Sequence, residues 1–130
     1  MTRTYLRLPI NADEGLPQAF RLEVGRRVYR VLLYVNVPEE EVEPPADAVY
    51  DLFSDDPAQR RGAFLVMRVS REGSAAPEVI FQRKLQPDVE YTAAELAFTF
   101  REAVIARRNL NGAGAFGSHI LGGVATRWAS

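Results

Sequence analysis

The chain has 130 residues, 47% of them apolar and 25% charged, with a net charge of −1, which suits one globular domain and argues against wholesale disorder. It has no cysteine, so disulfides, thiolate metal sites and cysteine nucleophiles are excluded. The near-zero charge gives no general attraction to nucleic acid or to an anionic membrane.

The opening Met1 to Arg7 lacks the apolar core of a signal peptide, and no run approaches the roughly 18 apolar residues of a membrane span. A soluble chain, or a part of a soluble particle, is expected. Leu6, Leu8 and Ile10 alternate with Arg7, which predicts a short first strand, and Pro9 suits its end. Asn11 to Pro17 carries turn residues. Phe20, Leu22 and Val24 then alternate with Arg21 and Glu23, and Gly25-Arg26 leads into Arg27 to Val35. This predicts a tight hairpin with a glycine turn, whose second strand, apolar on both faces from Val31 to Val35, is central and covered on both sides.

The segment 38–62 is an acidic excursion, with Pro38, Pro44, Pro45 and Pro57 breaking regular structure. It predicts a long loop, dispensable for folding, with a short helix around Asp47 to Phe53. Phe64 to Val69 and Glu78 to Leu85 predict a second hairpin around Gly73 and Ser74.

Thr92 to Leu110 supports two readings. Thr92 and Glu95 match a helix capping box, and Asn111-Gly112 suits a helix stop. Against that, Leu96, Phe98 and Phe100 alternate with Ala97, Thr99 and Arg101, and the aromatic content suits a strand. The favoured reading is a strand preceded by a short helical turn. The fold class expected is therefore mainly β, a small barrel or sandwich built from hairpins with one or two short helical segments. The alternative is α+β with a helix at 93–110. One domain spans 1–130 and ends in a glycine-rich tail at 111–130.

No constellation predicts catalysis, a cofactor or a metal. Gly112 to Gly117 fits a dinucleotide fingerprint only as a string, because a βαβ context and a later acidic residue are both missing. Ser118 and His119 are adjacent and would point to opposite faces of a strand. The acidic excursion lacks the ligand spacing of a calcium loop. Arg107 and Arg108, with Arg101 upstream, form a basic cluster suited to an interface. All but Lys84 of the 16 lysine and arginine residues are arginine, the cation better suited to forked ion pairs. Ile120, Leu121, Val124 and Trp128 make the tail too apolar for an idle terminus, with Arg127 as a polar rim. Ile120-Leu121 and Val124 could form a last short strand, with Trp128 packing at its end. An interface formed by Ile120, Leu121, Val124, Arg127, Trp128, Arg107 and Arg108 is the expectation, with the tail ordered against a neighbour.

Leu8-Pro9-Ile10-Asn11, then Phe20 to Val31 with its Gly25 turn, and finally Tyr34 and Asn36, resemble the start of the small baseplate plug proteins of tailed phages. The resemblance covers about residues 5 to 36. It implies a barrel-like structural module in a phage tail or related contractile assembly, with no enzyme activity, no cofactor, and other tail and baseplate chains as partners. It places the protein in the virion, assembled in the host cytoplasm. The alternative is a small cytoplasmic ligand-binding or regulatory β domain.

Overall fold

The computed structural model describes residues 4–38, 45, 47–73, 76–110, 112 and 114–126. The fold is mainly β, as the alternation predicts, and its strands form two antiparallel sheets. The first sheet joins β2 (Gln18–Val24), β3 (Arg27–Asn36), β5 (Phe64–Arg71) and β6 (Glu78–Lys84) in that order. The second joins β1 (Leu6–Arg7), β9 (His119–Thr126), β8 (Leu96–Ala106) and β4 (Val49–Asp51), with β7 (Tyr91–Ala93) also pairing β8. Their facing sides share one core, with Tyr29, Val31 and Leu33 from β3, Leu65, Met67 and Val69 from β5, and Leu96, Phe98 and Phe100 from β8. The arrangement is a sandwich whose two inner faces bury alternate residues of each strand.

The predicted hairpin is β2 and β3, in register from Gln18↔Leu33 to Val24↔Arg27. Gly25 takes φ +61 at the first position of its two-residue turn, which a side chain would resist and which matches the right-handed strand twist. Strand β3 lies between β2 and β5, the central place predicted for it. Only its inner face is closed, because Leu32 and Tyr34 on the outer face are half-buried.

Three expectations are corrected. The segment 38–62 is not a free loop. Tyr50 is buried in the core from β4, and Leu52, which follows it, is buried as well, its N–H donating to the Ala103 carbonyl at 2.9 Å. The expected helix at Asp47 to Phe53 is thus a strand, since Tyr50 and Leu52 are spaced by the strand period and fill one face. A single helical turn, α1 (Pro57–Arg60), comes later, capped by Asp56 and opened by Pro57.

The second correction concerns Thr92 to Leu110. The α+β alternative with a helix at 93–110 does not hold. No helical turn precedes the strand, because β7 and β8 form a hairpin through Ala94 and Glu95. The short helical element follows instead, as a 3-10 turn at Arg107–Leu110.

The third concerns the tail. Residues 119 to 126 are β9, paired to β8 on one side and, at its far end, to β1 on the other. The last short strand read at Ile120-Leu121 and Val124 is thus present, and what is corrected is its setting, since it pairs within this chain's own sheet and not against a neighbour. Gly122 explains how a glycine-rich segment serves there: a Cβ on it would lie 2.5 Å from the Phe100 ring, so the missing side chain is the space Phe100 fills.

Candidate protein interface

One side of the sandwich is open, and its cause is the unequal reach of the two sheets. Leu6 on β1 stands opposite Val124 on β9, and Val124 stands opposite Phe98 on β8. Directly opposed residues point the same way, so Leu6 points toward the other sheet. That sheet ends at β2, whose Leu22 and Val24 are only half-buried. Between the two edges lies a groove of about 270 Å³ lined by Thr4, Leu6, Leu22, Glu23, Val24, Leu96, Val124, Ala125 and Thr126. Leu6 is left 71% exposed. Burial of such apolar surface by a neighbour is favourable by about 25 cal/mol per Å².

Of the residues expected at an interface, only Val124 lines this groove. Ile120 is buried in the chain's own core, which removes it from any interface, because the alternation of β9 points it inward opposite Ala103. Leu121 is half-buried on the other face of the same strand. Arg107 and Arg108 lie at the opposite end of β8 from Leu96, roughly 35 Å away at the usual rise per residue. The guanidinium of Arg108 stacks on the Phe116 ring at 5.5 Å, and the Arg107 N–H donates to the Ala48 carbonyl. The basic pair and the apolar groove are therefore separate surfaces. Arg127 and Trp128 lie outside the described residues.

The residues proposed and set aside for chemistry are occupied otherwise. The Ser118 hydroxyl accepts from the Ala106 N–H at 2.8 Å and donates to the Asn109 side-chain carbonyl. Asn109, fully buried, donates in turn to the Gly114 carbonyl, while the Asp13 carboxylate accepts from the Ser118 N–H. This polar knot ties the glycine-rich loop to the 3-10 turn at Ala12–Glu14. His119 is on the other face, its Nε2 3.3 Å from the Glu102 carboxylate and open to solvent. Among the described residues no three His, Asp or Glu side chains converge as metal ligands.

One polar contact escaped the sequence. Tyr29 is fully buried on β3, and its hydroxyl donates to the Glu95 carboxylate on the β7–β8 turn. Arg27 lies 3.9 Å from the same carboxylate. Burial above all, then the neighbouring carboxylate, pushes the Tyr29 phenol up. Burial also pushes the Glu95 carboxyl up. The hydrogen bonds from Tyr29 and from its own backbone, with the charges of Arg27 and Arg71, outweigh that and hold it below the usual carboxylate range.

The groove residues Leu6 and Leu22 were legible only as core, since alternation marks which face a side chain takes and not whether a partner sheet reaches it. Compared with protein-family models, curated proteins and solved structures, the chain has no match.

Proposed function

We propose that the chain is a structural component of a phage tail or baseplate, or of a related contractile assembly, and that it works by seating a neighbouring chain on the open side of its sandwich. The observation that carries this reading is the groove itself, where apolar side chains from both sheets converge and Leu6 remains exposed. A monomer at rest gains nothing from such a gap, and an apolar recess rimmed by Thr4, Glu23 and Thr126 has the make-up of a small interface core with a polar rim. The resemblance of the first hairpin to baseplate plug proteins supplies the kind of assembly.

The test is co-expression with the products of the genes flanking its own. A tube, hub or spike chain that co-purifies with the wild type, and is lost from Leu6→Asp while the variant melts within a few degrees of wild type, supports the reading. Flanking genes that encode no tail protein, or tail proteins bound equally by Leu6→Asp, overturn it.

A further inference from the structure

The open side ends in a strand edge built to meet a copy of itself. Strand β2 is the last of its sheet, and besides β3 no strand pairs it among the described residues. The opposite edge of the sheet, β6, is defended. It carries a bulge opposite Val69 and Ser70, and Arg83 stands opposite the buried Met67, a charge on the inward side. Strand β2 has neither device: its ladder is regular over seven residues, with Phe20, Leu22 and Val24 inward and Arg21 and Glu23 outward.

Its charges specify the partner. Two β2 strands laid antiparallel about a two-fold axis at Leu22 set Leu22 against Leu22, and Phe20 against Val24, on the inner face. On the outer face each Arg21 meets the Glu23 of the other copy. Shifted two residues either way, the register sets Arg21 against Arg21 or Glu23 against Glu23, which like-charge repulsion disfavours. Shifted by one, it brings inward residues opposite outward ones. Only one register satisfies both faces, and it is isologous.

We infer that this chain pairs with a second copy of itself through β2, making one continuous sheet across two molecules along the β2 rim of the apolar groove. The inference rests on the reading of the open side as an interface and adds a second copy at its β2 edge. A seven-residue ladder is small beside the roughly 1,600 Å² of a standard interface, so the dimer dissociates on dilution.

The test is sedimentation of the full chain over a concentration series. The wild type is expected to pass from one copy to two, while Arg21→Glu and Glu23→Arg each remain monomeric, because each sets like charges opposite one another. Mixed in equal amounts, the two variants are expected to form a heterodimer, and Arg21→Glu with Glu23→Arg in one chain to self-associate again. Arg21 also pairs with Glu72 at 3.2 Å, so should Arg21→Glu unfold, Glu23→Arg alone decides. A wild type that stays monomeric throughout, or a Glu23→Arg that dimerises as the wild type does, overturns the inference. Either result leaves capture of tail chains through Leu6 standing, and failure of that capture leaves the dimer measurement standing.

Discussion

Tyr29 and Glu95 join the two sheets, one from near the start of β3 and the other from the turn that begins β8. A hydrogen bond to a charged group that is largely removed from water is worth about 1.5–3 kcal/mol, so Tyr29→Phe is expected to cost about that much in urea unfolding at neutral pH. The cost should depend on pH at both ends. The Glu95 carboxyl is held low in the folded state, so its contribution is present above its unfolded pKa and lost as pH falls through the folded one. The Tyr29 phenol is pushed high, so its contribution is present below its unfolded pKa and lost as pH rises through the folded one. The difference between wild type and variant is therefore largest between about pH 5 and 9 and shrinks on either side. A difference constant with pH would mean that the hydroxyl contributes only packing. Gly122 offers a second check at this scale. A methyl group there meets the Phe100 ring, and Gly122→Ala is expected to lower stability by about 1–3 kcal/mol through overpacking.

The ambiguity of 92–110 has its cause in one residue of β8. Leu96, Phe98 and Phe100 face the core in period two, and then Ala103 and Ile105 do, one position out of step. Between them the register with β9 shifts at Phe100 and Glu102, so Arg101 is the extra residue of a β-bulge. A phase slip inside a strand leaves apolar spacings of three and four that imitate a helix, which is why Leu96, Phe100 and Ala103 lie on one helical face. Deleting Arg101 would join the two halves of β8 in strict alternation, with Phe100, Ala103 and Ile105 all inward and the register with β9 continuous, so the shortened chain is expected still to fold. Arg101→Ala keeps the bulge and should melt within a few degrees of wild type. A shortened chain that fails to fold would place the bulge elsewhere, because deleting a regular ladder residue turns Ala103 and Ile105 outward. The hairpin of β2 and β3 was legible because alternation and turn chemistry agree there. Strand β4 was not, because three residues among prolines and acids carry too little pattern, although Tyr50 and Leu52 bury fully. Leu52→Ala is accordingly expected to cost about 2–5 kcal/mol, measured by denaturant unfolding, where a free loop would show almost no change.

At the scale of the whole molecule, the second sheet is closed by the two ends of the described chain, with Leu6 paired to Val124 and the Leu8 N–H donating to the Gly122 carbonyl at 2.9 Å. Sequence patterns are local and carry no trace of such a pairing, so the glycines of 111–130 read as a loose tail. Gly122 and Gly123 are instead small residues in β9, where Phe100 and Tyr5 occupy the space their side chains would take. Strand β9 stands between β1 and β8, and its removal would strip β1 of the one strand that pairs it among the described residues and bare a long apolar edge of β8. Pairing of distant segments also forms late, after most of the chain entropy has been lost. A chain ending at Gly117 is therefore expected to lose cooperative unfolding altogether and to aggregate, whereas in the full chain the amides from Ile120 to Val124 should exchange with solvent as slowly as those of β3, at every protein concentration. A truncated chain that still melts cooperatively, or fast exchange across Ile120 to Val124 in dilute solution, would return β9 to the status of a tail ordered by a neighbour.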